Sequence, residues 1–200
     1  MEKFFNPQSV VIVGASNSSF NLGSTICNML KDYLNYSGTV YVVNSRGEMV
    51  NGYGGFSSVL DLPKTPDMAI IIVAARHVPG IVKDCANKGI KRVIIESAGF
   101  AEEGAAGEAM QREIDEVAKM SGIRIMGPNC LGTLSTRDKF CSFYGVNPSL
   151  VEMNQVFETP GNISYIIQSG GVVVLVMESL YYDLVGINKV VSIGNKCDVN

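Results

Sequence analysis

A loop rich in glycine and serine is the first segment whose residue types suggest chemistry. Residues 14–23 read GASNSSFNLG, and Gly14, Ser16 and Gly23 combine a sharp turn, a small hydroxyl and a predicted helix start. Free backbone N–H groups at a helix start attract phosphate, and glycine lets the backbone approach it closely. The two glycines are nine residues apart, so the segment lacks the GxGxxG fingerprint of dinucleotide-binding proteins. A phosphate-binding loop and a plain polar turn are both open interpretations.

Asn44 and Arg46 follow the next apolar run and suggest a second nucleotide contact. An NAD-binding fold places Asp or Glu here for the ribose hydroxyls, whereas this sequence has Asn44 with a cation two residues later. A cation at this point suits a ribose phosphate, as in NADP or coenzyme A. The alternative is an arginine that is solvated at the surface.

Small and polar residues also follow the later apolar runs. Small side chains let a flat ligand approach the backbone, and backbone N–H groups beyond a strand can hold a phosphate. Cys130 has no general base near it in the sequence, so a lining role is favoured over a nucleophilic one. The expected crevice walls are Ala74 and Arg76 with Ser97, Ala98 and Gly99, and the expected phosphate cradle is Asn129 and Cys130 with Ser169 and Gly170.

Other chemistries have little support in the composition. The single histidine, His77, has no neighbouring Ser, Cys or Asp that would complete a catalytic set, and the five scattered cysteines include no CxxC. We therefore expect no metal site, and reduced thiols of a cytoplasmic protein. The net charge of −3 disfavours nucleic-acid binding. The longest apolar run, residues 68–75, is too short to span a membrane.

Alternating apolar runs and helix-like stretches predict the elements that position these residues. The apolar runs are continuous, which is typical of parallel strands covered on both faces. Their alternation with helices predicts an α/β fold, a Rossmann-like doubly wound parallel sheet. The predicted strands are residues 10–13, 40–43, 68–73, 93–95 and 123–126, and the predicted helices are residues 24–34, 78–88 and 107–121.

A second domain is predicted after this sheet. Residues 1–150 are assigned to the Rossmann-like domain, which ends in a closing strand or hairpin and a linker over residues 133–160. Residues 151–200 contain one βαβ unit, with strands at 163–168 and 190–193 around a helix at 170–184. A unit of about 40 residues is too small to hold a core alone. The unit therefore either docks on the first domain or belongs to a truncated second domain, and we favour truncation.

Several motifs in order resemble a known enzyme family. FFNPQSVVIVGAS, YVVNSRG, VAARHVP, ESAGFAEEG, GPNCLG, PGNISYIIQSGG and VSIGNKCDVN are similar to segments of the NDP-forming acyl-CoA synthetases, relatives of the succinyl-CoA synthetase alpha subunit. The resemblance covers almost the whole chain. It implies a CoA-binding Rossmann-like domain followed by the first βαβ unit of a flavodoxin-like ligase domain.

The resemblance also implies roles for the residues above. Gly14, Ser16 and Gly23 would face the phosphates of coenzyme A, and Asn44 and Arg46 would lie near its adenosine 3′-phosphate. The walls formed by residues 74–76 and 97–99 would flank the adenine or the pantetheine arm. The cradle at residues 129–130 and 169–170 would consist of two helix starts that hold the phosphate of a phosphohistidine.

The implied reaction converts an acid, a nucleoside triphosphate and CoA into acyl-CoA, a nucleoside diphosphate and phosphate. It passes through an acyl phosphate and a phosphohistidine on a mobile loop. His77 does not match that histidine, so no catalytic residue is expected in this chain. An ATP-grasp domain or subunit would supply ATP or ADP and Mg²⁺, in a homo- or hetero-oligomer. The chain alone is expected to bind CoA without completing the cycle.

Two alternatives from other classes stay open. A stand-alone CoA-binding or CoA-sensing module would suit the short chain but has no use for a phosphohistidine cradle. An NAD(P)-dependent oxidoreductase would need the missing GxGxxG and a catalytic dyad. An adjacent ATP-grasp reading frame would favour the synthetase over the module.

Overall fold

A six-stranded parallel sheet forms the first part of the fold. The computed structural model describes residues 1–144, 153–182 and 185–199. The sheet comprises β1 (Ser9–Val13), β2 (Thr39–Val43), β3 (Gly55–Phe56), β4 (Met68–Ile71), β5 (Arg92–Ile95) and β6 (Arg124–Met126). Their spatial order is β3-β2-β1-β4-β5-β6. The strand order reverses between β1 and β4, as in Rossmann-like folds, and the predicted fold class is confirmed.

Helices cover both faces of this sheet. They are α1 (Leu22–Asn28), which continues as a π-helical turn (Met29–Tyr33), α2 (Val78–Lys88) and α3 (Ala105–Ser121). In β1, Val10 and Ile12 pack with α1, whereas Val11 and Val13 pack with α2 and α3. Because both faces of the strand are buried, its sequence is apolar without alternation. No helix among the described residues is long and apolar enough to cross a membrane.

A second, mixed sheet contains the remaining strands. These are β7 (Gly132–Ser135), β8 (Phe140–Cys141), β9 (Pro160–Ile167) and β10 (Ile187–Ser192), in the order β8-β7-β10-β9. Helix α4 (Met153–Glu158) precedes β9, and α5 (Gly170–Tyr182) connects β9 to the parallel strand β10. The predicted βαβ unit is thus confirmed. The predicted closing hairpin is β7–β8, which pairs antiparallel with β10. The predicted domain boundary at residue 150 lies outside the described residues and stays a prediction.

The segment after β10 is hydrogen-bonded to the end of β6. Three backbone N–H groups of this segment donate to backbone carbonyls. The hydrogen bonds run from Asn195 to Pro128 at 2.8 Å, from Cys197 to Gly127 at 3.1 Å and from Val199 to Ile125 at 3.0 Å. Asp198 Oδ2 accepts from Arg124 Nε at 2.7 Å and from Ile125 N at 2.9 Å. These contacts join the second sheet to the edge of the first.

Removing the carboxylate at this joint should destabilise the chain. We expect Asp198→Ala to lower the free energy of unfolding by about 1–2 kcal/mol, because the Ile125 N–H loses its charged acceptor. Urea denaturation of the full chain measures this change. Glu108→Ala is the control, because its exposed pair with Arg112 should contribute less than about 0.5 kcal/mol. Equal stability of Asp198→Ala and the unchanged chain would contradict the expectation.

Candidate functional site

A cleft of about 620 Å³ opens at the carboxyl ends of β1, β2 and β4. This is the point where the strand order reverses and where ligands bind in open α/β sheets. Its apolar lining consists of Val13, Val43, Val59, Val73 and Ile81. Its polar lining includes three predicted residues, Gly14, Ser16 and Asn44. The loops after the first two strands therefore meet in one cavity, as the sequence predicted.

Asn21 holds the loop between β1 and α1 in shape. Its Oδ1 accepts from Ser16 N at 3.0 Å and from Ser24 N at 2.8 Å, and its Nδ2 donates to the Gly14 carbonyl at 2.9 Å. Gly14 has φ +106°, and a Cβ at this position would collide with the carbonyl of Ile72. The sequence analysis missed Asn21, although an asparagine directly before a helix is a helix-cap signal.

Asn44 organises the turn after β2. Its Oδ1 accepts from Arg46 N at 3.2 Å and from Glu48 N at 3.0 Å, while its Nδ2 donates to the Glu48 carbonyl at 2.9 Å. Arg46 itself is exposed, and its guanidinium contacts Glu48 at 3.6 Å. An exposed pair of this kind is weak, so the guanidinium is free to turn towards an anion at the rim of the cleft.

Ser97 joins the ends of three strands. It is buried, its Oγ accepts from Val73 N at 3.0 Å, and its carbonyl accepts from Asn129 N at 2.9 Å. This hydroxyl is therefore occupied by the backbone. Gly23 is likewise buried, with α1 packed against Ala15 at that point. The predicted residues outside the cleft lining are Gly23, Arg46, Ala74, Arg76, Ser97, Ala98 and Gly99.

The predicted phosphate cradle contains one helix start instead of two. The expectation that Asn129 and Cys130 begin a helix is wrong: they lie in the turn between β6 and β7. Asn129 has φ +55°, a left-handed conformation that a helix start does not use. Ser169 and Gly170 do begin α5, where Ser169 Oγ accepts from Val172 N at 3.5 Å. Gly170 lies against Leu131, so the two segments are neighbours.

Cys130 and Glu96 are buried where these segments meet. Cys130 Sγ donates to the Ile95 carbonyl at 3.3 Å, and burial raises the pKa of its thiol well above the ordinary value. Both features favour the protonated thiol, which is a poor nucleophile. Glu96 is 2% exposed, and neither carboxyl oxygen has a hydrogen-bond partner among the described residues. Burial raises the pKa of Glu96 well above its usual value.

The sequence analysis did not single out Glu96 as a site residue. Nothing in the local pattern distinguishes it from the exposed carboxylates nearby, because its burial comes from β7 and β8. Gly132 lacks the Cβ that would lie 2.8 Å from Glu96 Oε1. The carboxyl is therefore enclosed by residues that are distant in sequence.

The raised pKa of Glu96 predicts a pH-dependent stability. The folded chain keeps the Glu96 proton at pH values where the unfolded chain has lost it. The contribution of this group to the free energy of unfolding is therefore complete below about pH 4 and is lost as pH rises towards the pKa in the folded chain. Within that window the loss is about 1.4 kcal/mol per pH unit. Glu96→Gln should remove this dependence, which urea denaturation at pH 5.5 and 8.5 would measure. Glu116→Gln, an exposed control, should follow the unchanged chain. Parallel profiles for Glu96→Gln and the unchanged chain would contradict the assignment.

The fold and the cleft define a Rossmann-like α/β domain with an attached α/β unit. Residues 8–136 match the CoA binding domain family, and the chain belongs to that family. Residues 160–200 match the succinyl-CoA ligase like flavodoxin domain. The expected family resemblance is confirmed by both matches.

Similar proteins carry ligase names. The chain is 38% identical over 200 residues to "Acetate--CoA ligase [ADP-forming] I" of Archaeoglobus fulgidus, covering 98% of this chain and 27% of that protein. It is 36% identical over 204 residues to "Acetate--CoA ligase [ADP-forming] I subunit alpha" of Pyrococcus furiosus, covering 100% of this chain and 42% of that protein. The chain thus spans less than half the length of these relatives.

A solved structure has the same fold over the whole chain. The apo form of "dinucleotide forming Acetyl-coenzyme A synthetase 1" from Ca. Korarchaeum cryptofilum superposes with a TM-score of 0.89 at 31% identity. The match covers 100% of this chain and 41% of that protein. Both sheets of the chain therefore have counterparts in a synthetase.

Proposed function

We propose that the chain is the CoA-binding part of an NDP-forming acyl-CoA synthetase. The whole enzyme would convert an acid, a nucleoside triphosphate and CoA into acyl-CoA, a nucleoside diphosphate and phosphate. The observation that carries the proposal is the cleft at the strand-order reversal, lined by Gly14, Ser16 and Asn44 in a member of the CoA binding domain family. The ADP-forming ligase names of the relatives support the reaction class.

The residues of the cleft fit coenzyme A. Gly14 lets the loop after β1 pack closely against the Ile72 carbonyl, and Asn21 fixes the loop through three hydrogen bonds before any ligand arrives. A loop that is already ordered loses little entropy on binding. The Ser16 hydroxyl has no partner among the described residues and would donate to a phosphate. Arg46 would reach the 3′-phosphate from the rim, and the apolar walls would accept the uncharged parts of CoA.

The start of α5 is proposed to hold the phosphate of a phosphohistidine. Ser169 and Gly170 lie at the N-terminus of a helix of 13 residues, where partial positive charge favours an anion. Asn129 and Cys130 would line the opposite side through their turn. His77, the single histidine of these 200 residues, lines the cleft instead. We therefore assign the phosphohistidine to a part of the ligase outside these residues.

The remaining parts of the enzyme are proposed from the same assignment. An ATP-grasp domain or subunit would bind ATP or ADP with Mg²⁺, as the resemblance to the NDP-forming acyl-CoA synthetases implies. Residues 1–150 would be the CoA-binding domain and residues 151–200 the first part of the flavodoxin-like domain. The thiols are free, which supports a cytoplasmic location.

Calorimetric titration tests the ligand class. The chain should bind CoA, should bind dephospho-CoA more weakly, and should give no heat with NAD or NADP. Binding of NAD or NADP with no response to CoA would contradict the proposal and favour an oxidoreductase.

Arg46→Ala should weaken CoA binding about three- to tenfold, because one exposed charged contact to the 3′-phosphate is lost. Its affinity for dephospho-CoA should stay unchanged, since that ligand lacks the phosphate. Arg112→Ala removes another exposed arginine, on α3, and should leave both affinities unchanged. An equal loss of affinity for both ligands in Arg46→Ala would rule out the 3′-phosphate contact.

A further inference from the structure

One side of α2 forms a wall of the cleft. His77 precedes the helix, and Gly80, Ile81 and Asp84 follow at intervals of three, four and seven residues. Residues at this spacing share one side of a helix. The cleft therefore extends from the loops after β1 and β2 to the side of α2.

The polar groups on this wall have no internal role. Neither the imidazole of His77 nor the carboxylate of Asp84 makes a hydrogen bond or an ion pair within the part of the chain that the structure describes. Val13, Val43 and Val73 contribute apolar side chains to the lining of the same cleft. This part of the cleft, called the slot below, thus combines apolar side chains with a carboxylate and an imidazole in its lining. Such a slot suits a flat ring whose edge carries donors.

Gly80 keeps the slot open. A Cβ at Gly80 would meet no atom within 4 Å, so the space in front of it belongs to the cleft. Glycine within a helix is less stable than other residues. Glycine at this position therefore does not stabilise the fold, whereas the absence of a side chain leaves space for a ligand in the cleft.

We propose that this side of α2 recognises the adenine of the ligand and that Asp84 selects adenine by accepting a hydrogen bond from its exocyclic amino group. The inference rests on the proposed function and names a specificity residue for the same site. A carboxylate only accepts hydrogen bonds. In a purine with an oxygen in place of that amino group, this oxygen and the Asp84 carboxylate would both be acceptors, and no hydrogen bond would form between them.

The test compares CoA with its 6-oxo analogue, in which hypoxanthine replaces adenine, by calorimetry on the full chain. The unchanged chain should bind the analogue about tenfold more weakly than CoA, since a hydrogen bond to a charged group is lost and an acceptor is left unpaired. Asp84→Ala should weaken CoA binding about tenfold and bring the two affinities close together. Asp84→Asn should bind both ligands similarly, because an amide either accepts or donates.

Two controls separate the possible outcomes. Glu116→Gln removes an exposed carboxylate of α3 and should keep the full preference for CoA. Adenosine 3′,5′-bisphosphate lacks the pantetheine arm and should lose affinity in Asp84→Ala as CoA does. If Asp84→Ala weakens the binding of CoA but not of adenosine 3′,5′-bisphosphate, Asp84 contacts the pantetheine arm and the inference is wrong. If the unchanged chain binds CoA and Asp84→Ala still prefers CoA to its 6-oxo analogue, the inference is wrong while the proposed function stands. Absence of CoA binding to the unchanged chain overturns both.

A second variant tests the slot without changing its charge. Gly80→Leu should abolish CoA binding by filling the space beside α2, with a thermal unfolding midpoint no lower than that of the unchanged chain. Unchanged CoA affinity in this variant would show that the base lies elsewhere and would overturn the inference.

Discussion

The parallel direction of β1 to β6 is the constraint on which the candidate site depends. All six carboxyl ends lie at one edge, and the order reverses between β1 and β4, which pair with Val13 beside Ile71. Connections leave these two strands in opposite directions, so a cleft forms between them. Gly14 continues the chain directly from β1 into that cleft, and Asn44 does the same from β2. These cleft-lining residues are thus brought together by topology before any side-chain contact is considered.

The other end of the same edge meets the second sheet. Pro128 and Gly127 accept hydrogen bonds from the segment after β10, and Gly194 packs against the carbonyl groups of this turn. This joint fixes the start of α5 beside Leu131. The buried carboxyl of Glu96 lies at the same joint, enclosed by Gly132 and Ser142. Because the joint is made of backbone contacts with little free space, larger side chains at these glycines are excluded.

The sequence predicted the main sheet because burial on both faces leaves continuous apolar runs. It predicted Gly14, Ser16 and Asn44 in the cleft because they directly follow strands. The prediction from sequence was wrong or incomplete where contacts between residues distant in sequence determine the local structure. The turn at Asn129 was expected to begin a helix, but a left-handed residue and the pairing of β7 with β10 direct the chain into a strand. Asp84 was not considered, because its place in the cleft depends on which side of α2 faces the sheet edge. Arg76, which was considered, is exposed outside the cleft lining.

Hydrogen–deuterium exchange of the full chain, with and without CoA, tests most directly the claim that the carboxyl edge at β1, β2 and β4 binds this ligand. We expect slower exchange in the loops that follow these three strands and in the first turns of α2, with the exposed strand β9 unchanged. Protection confined to the second sheet, or no protection at saturating CoA, would contradict the account.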